Sequence, residues 1–222
     1  IREPSPIQRA ALPRLMSGEN AVLAAGTGSG KTLAYLLPLV ERLKAEEFEE
    51  SQRAGEAEEE SLYQKRKDLR RPKRPRALVL VPTRELAMQV AGTLKMLSHH
   101  AKVSSGIIIG GEPQGKQKKL LERTLDIVVA SPGRLLKHRD AGNVFLGSVK
   151  HVVIDEVDTM LTQGFSDDLN KLLQGRQKEE DAAEGKKSQK QQSQQIVCAT
   201  ATITPSLRAQ LREQVCFPAM SE

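Results

Sequence analysis

Ala21-Val22-Leu23-Ala24, followed at once by Ala25-Gly26-Thr27-Gly28-Ser29-Gly30-Lys31-Thr32, decides the fold. The first four residues are a short apolar run without alternation, which fits a strand buried on both faces of a parallel sheet. After Thr32 the apolar residues Leu33, Leu36, Leu37, Val40 and Leu43 recur three and four apart, the spacing of a helix face. A glycine-rich loop between a strand and a helix is the context that a phosphate-binding loop requires. Its glycines let backbone N–H groups turn toward phosphate oxygens, and the helix N-terminus adds positive potential. Lys31 would reach the β- and γ-phosphates of a nucleotide, and the Thr32 hydroxyl would ligate Mg²⁺. Ala25 stands where the strict pattern has glycine, a small residue that still fits.

Outward from this loop, similar apolar runs recur at Ala77–Val81, Gly106–Ile109, Asp126–Ala130, His151–Ile154 and Gln195–Ala199. Strands alternating with helical stretches predict an α/β fold, a mostly parallel sheet with helices on both faces. Ligands of such sheets bind at the carboxyl ends of the strands. Asp155-Glu156-Val157-Asp158 falls at such an end, directly after His151–Ile154. Asp155 suits the Mg²⁺ of a nucleoside triphosphate, and Glu156 beside it suits orientation and deprotonation of an attacking water.

Two segments interrupt the pattern. Residues 45–76 carry an acidic block and then a basic one, and residues 174–194 are rich in Gln, Lys and Glu. Both read as solvated charged insertions. The net charge of +6 suits a polyanionic partner. Aromatics are 3% with no Trp, which argues against a stacking reader of single strands and leaves phosphates and sugars as the contacts. Cys198 and Cys216 form no CxxC pair, which argues against a zinc site and fits a reducing, intracellular setting. No apolar run approaches the ~20 residues of a membrane helix. The compartment stays open, since the sequence starts at Ile1 rather than an initiator methionine.

The remaining motifs give the pattern a family. Pro4-Ser5-Pro6-Ile7-Gln8, Pro82-Thr83-Arg84-Glu85-Leu86-Ala87, Gly110-Gly111, Ser131-Pro132-Gly133-Arg134, Gly164-Phe165 and Thr200-Ala201-Thr202 flank the phosphate loop and Asp155–Asp158 in one order. In that order they resemble the Q, PTRELA, GG, TPGR, GF and SAT motifs of the first RecA-like domain of DEAD-box RNA helicases. The resemblance covers nearly the whole chain apart from the two insertions.

It implies an ATP hydrolase that couples turnover to single-stranded RNA binding and local unwinding. ATP and Mg²⁺ are the implied cofactors, with Gln8 reading adenine and Ala25, Gly26, Thr27, Gly28, Ser29, Gly30, Lys31 and Thr32 holding the phosphates. Thr32 and Asp155 are the implied metal ligands, and Lys31, Asp155 and Glu156 the catalytic set. Thr83, Arg84, Gly110, Gly111, Gly133 and Arg134 would contact the RNA backbone, with a local ion pair the alternative role for Arg84. Thr200 and Thr202 would hydrogen-bond Asp158 and couple the two sites, while Leu161 and Phe165 read as core residues.

Val157 replaces the family's Ala and Gly26 its usual Gln. Asp155–Asp158 followed by Thr159-Met160, with Thr200-Ala201-Thr202, is similar to some plant organellar members. Nothing resembles the second domain with its arginine-bearing HRxGRxGR motif. The resemblance therefore implies a partner domain beyond these residues, and near-background ATP hydrolysis by them alone. An ATP-dependent RNA clamp is the alternative output.

Overall fold

Short strands with no polar face need cover on both sides, and the chain supplies it. Six strands, β1 (Ala21–Ala24), β2 (Ala77–Leu80), β3 (Ser105–Ile108), β4 (Ile127–Ala130), β5 (His151–Ile154) and β6 (Gln195–Thr200), form one sheet. The computed structural model describes residues 3–54, 70–173 and 194–214. The strand order is β1-β6-β5-β2-β4-β3, and every neighbouring pair is parallel. Register aligns the strand ends: Leu80 lies opposite both Ala130 and Ile154, and Ala24 opposite Thr200. The helices among the described residues include α1 (Pro6–Met16), α2 (Lys31–Ala54), α3 (Arg84–Ala101), α4 (Gln114–Leu121), α5 (Pro132–Asp140), α6 (Val157–Thr162) and α7 (Pro205–Gln214), and residues 166–173 are helical as well.

Alternate residues of each strand point to opposite faces. Ala77, Val79 and Val81 pack with Leu15 of α1, Leu36 and Leu43 of α2, and Val90 and Leu94 of α3. Leu78 and Leu80 pack on the other face with Leu121 of α4, Leu135 of α5, Met160 of α6 and Leu207 of α7. The expected α/β sheet with helices on both faces is therefore the observed fold. Leu161 and Phe165 are partly buried against the second of these cores. Val157, the bulkier residue in the acidic motif, is fully buried in it.

The charged stretch 45–76 is helical at its start, as a loosely helical insertion allows, and departs from the solvated reading at its end. Helix α2 runs through it to Ala54, and Arg76, expected in a solvated insertion, is only 3% exposed. Its Nη2 donates to the Leu43 carbonyl at 2.7 Å and to Glu46 Oε2 at 2.9 Å, and its Nη1 donates to Glu47 Oε1 at 2.9 Å. Asp126, fully buried just ahead of β4, lies 3.6 Å from the same guanidinium and also accepts from Arg70 Nε at 2.8 Å. The reason is electrostatic: a guanidinium leaves water only when its donors are matched, and the acidic end of α2 matches them. Residues 55–69 lie outside the described residues, as does the expected insertion at 174–194 except for Gln194, which leads into β6.

Candidate functional site

The strand order sorts the motifs into two groups at one edge of the sheet. The carboxyl ends of β1, β6 and β5 carry the phosphate loop, Thr200 and Asp155–Asp158. Neighbouring strands stand about 5 Å apart, so the ends of β1 and β5 are separated by about 10 Å, with β6 between them. The ends of β2, β4 and β3 carry Thr83-Arg84, Ser131–Arg134 and Gly110-Gly111. The sequence-predicted residues thus converge on two adjacent patches rather than one.

Lys31 opens α2, and the loop before it turns through Gly28 at φ +78° and Gly30 at φ +94°. The Lys31 ammonium donates to the Ala25 carbonyl and, at 3.0 Å, to the Gly26 carbonyl, so it lies curled across its own loop. Gln8 is buried beneath the loop. Its Nε2 donates to the Gly30 carbonyl at 3.2 Å, and its Oε1 accepts from Ser5 N–H at 3.0 Å. A Cβ on Gly30 would come within 2.6 Å of that Nε2, so the contact needs glycine there twice over, for its φ and for its room. The Gln8 amide keeps one N–H and one lone pair for a further partner. Ser29 Oγ is buried with no hydrogen-bond partner among the described residues, an open donor that suits a phosphate oxygen.

Across β6, Asp155 is 3% exposed, and both its oxygens are held. Oδ1 accepts from Glu156 N–H at 2.9 Å, and Oδ2 accepts from the Tyr35 hydroxyl at 2.7 Å. Burial pushes the Asp155 carboxyl above its ordinary pKa, opposed by the Tyr35 bond and by Lys31. Glu156 is also raised, first by burial and then by the charges of Asp155 and Asp158. Its backbone sits in the left-handed region at φ 49°, a strained setting for a side chain, and this turns β5 abruptly into α6. Two raised carboxylates, Asp155 and Glu156, near the Lys31 charge, with the Thr32 hydroxyl interacting with the same Tyr35 phenol, form a hard-oxygen setting suited to Mg²⁺. Among the described residues no three His, Cys, Asp or Glu side chains are grouped to hold a metal alone. Tyr35 was not singled out from sequence. Its signal was a phenol in a helix stripe otherwise aliphatic, since a buried hydroxyl needs a partner.

The expected bond from Thr200 or Thr202 to Asp158 is not formed. Thr200 Oγ1 donates to the Thr202 carbonyl at 2.8 Å and accepts from Thr202 N–H at 3.3 Å. The hydroxyl is fully buried at the end of β6, so it satisfies the nearest backbone groups instead.

In the second patch, Thr83 caps α3 by accepting from Leu86 N–H at 3.2 Å. Arg84 is half exposed and pairs with Glu112 at 2.7 Å, which is the local-acid alternative for this residue with a different acid than its neighbour Glu85. Gly111 turns the chain at φ +80°, and Gly110 and Gly111 are both exposed. A Cβ on Gly133 would meet Asp168 Oδ2 at 2.9 Å. No hydrogen bond or ion pair engages the Arg134 guanidinium among the described residues, which leaves its fork open to a ligand.

A glycine-rich loop and an acidic pair at strand ends flanking a central strand define a P-loop nucleotide-binding domain. The model of the DEAD/DEAH box helicase family matches residues 5–209, and the chain belongs to that family. It is 37% identical over 216 residues to the DEAD-box ATP-dependent RNA helicase 39 of Arabidopsis thaliana, covering 96% of this chain and 31% of the relative. It is 36% identical over 173 residues to the ATP-dependent RNA helicase DRS1 of Saccharomyces cerevisiae, covering 77% of this chain and 20% of the relative. The chain thus spans under a third of these curated relatives. Among solved structures, a hypothetical ATP-dependent RNA helicase from Sulfolobus tokodaii superposes with a TM-score of 0.70 at 27% identity, covering 97% of this chain and 51% of that one. A DEAD box protein from Methanococcus jannaschii does so with a TM-score of 0.69 at 28% identity, covering 95% and 47%.

Proposed function

We propose that the chain is the ATP-binding domain of an RNA helicase that couples ATP hydrolysis to single-stranded RNA binding, local unwinding and remodelling. The observation that carries this is the placement of the Lys31 loop and the Asp155–Glu156 pair on either side of β6, beside the patch that carries Gly110, Gly111, Arg84 and Arg134. Family membership and the names borne by the relatives support ATP and RNA as the two ligands.

In this reading Gln8 reads adenine with the unused half of its amide. The loop from Ala25 to Thr32 cradles the phosphates, and Lys31 leaves the Ala25 and Gly26 carbonyls for phosphate oxygens. Thr32 and Asp155 would hold Mg²⁺, which when bound neutralises charge on the transferring phosphoryl group. Glu156 orients the attacking water and takes its proton, a role that a raised carboxyl pKa serves. Arg84, Arg134 and the glycines of the second patch grip RNA phosphates and sugars. Asp158, Thr200 and Thr202 would exchange their present bonds to couple the patches. A second RecA-like domain in the longer protein supplies the arginine finger, typically worth ~10³–10⁵ in rate, so the 222 residues alone turn over ATP near background. The low cysteine content and the buried Cys198, free among the described residues, support an intracellular setting.

The test is titration of the chain with labelled ATP and Mg²⁺, where binding at roughly micromolar to millimolar Kd is expected. Lys31→Ala should remove most of that affinity. Equal affinity in the variant would sink the assignment.

A further inference from the structure

Beyond the two patches lies a line of buried polar side chains that the function above leaves unused. The β3 ladder ends at Ile108, whose carbonyl accepts from Ser131 N–H at 3.1 Å. The next carbonyl, that of buried Ile109, has no strand to pair with. It accepts instead from Gln117 Nε2 of α4 at 2.7 Å. Gln117 is 4% exposed, and its Oε1 lies 3.0 Å from Nε2 of His138, itself 2% exposed in α5. His138 Nδ1 in turn lies 3.3 Å from Nδ2 of Asn143.

The polarity of this line is fixed from one end. A carbonyl only accepts, so Gln117 must turn its amide nitrogen toward Ile109 and its oxygen toward His138. His138 Nε2 therefore carries the proton, and Nδ1 accepts from the Asn143 amide. Every member is satisfied by a neutral ring. Burial and the neighbouring Arg134 charge both lower the His138 pKa, which agrees with that assignment.

One end of the line stops on the carbonyl directly ahead of Gly110-Gly111. The other enters the helix whose first turn carries Gly133 and Arg134, with His138 one turn beyond Arg134 on the same face. We propose that Gln117 and His138 are positioning residues that set the glycine pair and the Arg134 turn at one fixed separation, matched to the RNA backbone. A fully satisfied buried polar chain specifies one geometry more strictly than an apolar contact of the same size. The inference rests on the proposed reading that Gly110, Gly111, Gly133 and Arg134 face RNA.

The experiment titrates a short labelled oligouridylate into the 222-residue chain at several salt concentrations, with ATP binding as the internal reference. Gln117→Met keeps the side-chain volume but neither hydrogen bond. It should weaken RNA about 3- to 10-fold. It should also flatten the log–log salt slope by about 0.7, one phosphate contact, while ATP affinity stays unchanged. His138→Gln, whose amide N–H can stand in for Nε2–H, should bind close to wild type, and His138→Phe should behave like Gln117→Met. If Gln117→Met fails to fold, Asn143→Ala at the half-buried end of the line is expected to shift RNA affinity in the same direction. RNA affinity and slope unchanged in a folded variant would reduce the line to core packing and overturn the proposal. Equal losses of RNA and ATP affinity would overturn it too, as general loosening. Absence of RNA binding in the wild-type chain would instead count against the proposed function.

Discussion

Arg76→Leu should destabilise the chain severely, although a charged residue in a charged stretch suggests a harmless surface change. Arg76 is 3% exposed and holds the acidic end of α2 against the start of β2. Removing one partner of a buried ion pair typically costs about 3–5 kcal/mol, because the remaining charge is left dry. Here the stranded acids differ. Glu46 and Glu47 side chains are 19% exposed and regain some water, while Asp126 is fully buried but keeps Arg70. The expected cost is therefore about 2–4 kcal/mol, somewhat below that typical range. For a domain of this size each kcal/mol moves the melting temperature by roughly 2–4 °C, which gives a drop of about 5–15 °C. Thermal unfolding followed by circular dichroism reads it directly. Arg84→Ala serves as the control, since its half-exposed pair with Glu112 should contribute at most about 1 kcal/mol. A shift below about 2 °C for Arg76→Leu would refute the claim that this cluster anchors the helix.

The same cluster sets the acid stability. Burial raises the Glu46 carboxyl pKa, but the bonds from His151 and Arg76 outweigh it and bring the value down from 4.5 to about 2. A folded value below the unfolded one stabilises above pH 4.5 and is lost as pH falls through about 2, at most about 3 kcal/mol over that window. Glu46→Gln should flatten the unfolding free energy in that range, and an unchanged acid profile would count against the pairing. Glu112→Gln frees Arg84 and removes a negative charge from the proposed RNA patch, so it should tighten oligouridylate binding about 2- to 5-fold at low salt, with the gain fading as salt rises. Weaker binding would mean that Glu112 holds Arg84 in its working position. Tyr35→Phe keeps the ring in the core and removes only the donor to Asp155 Oδ2. It should weaken ATP binding severalfold with Mg²⁺ present and leave it unchanged in EDTA, and equal losses in both titrations would mark a packing defect instead.

What could be read from the sequence was whatever contiguous residues encode by backbone shape. Gly28 and Gly30 announce positive φ, the run Ala21–Ala24 announces a doubly covered strand, and both lie within one short stretch with Lys31. Side-chain partners were legible only where sequence neighbours happened to be spatial neighbours. Arg76 finds Glu46 and Glu47 about thirty positions earlier, so a charge-run reading of 45–76 counted as solvated the groups that neutralise one another in the interior. Gln117 and His138 carry no local mark at all, since the same residues on an exposed helix would look identical. Arg84 shows how geometry decides such cases. Adjacent helix residues diverge by about 100°, so Glu85 is poorly placed to pair with Arg84. The chain instead brings Glu112 to it from the loop beyond the glycine pair, and that acid occupies the fork where the proposed RNA phosphate would sit. An exposed arginine paired this way is held in place yet releases its partner at small cost. Arg134, with no such partner among the described residues, should meet RNA first, and Arg84 should follow by exchange. On this argument Arg134→Ala lowers the rate of RNA association, whereas Arg84→Ala mainly raises the rate of dissociation. Stopped-flow titrations that show the reverse assignment would break the order of contact.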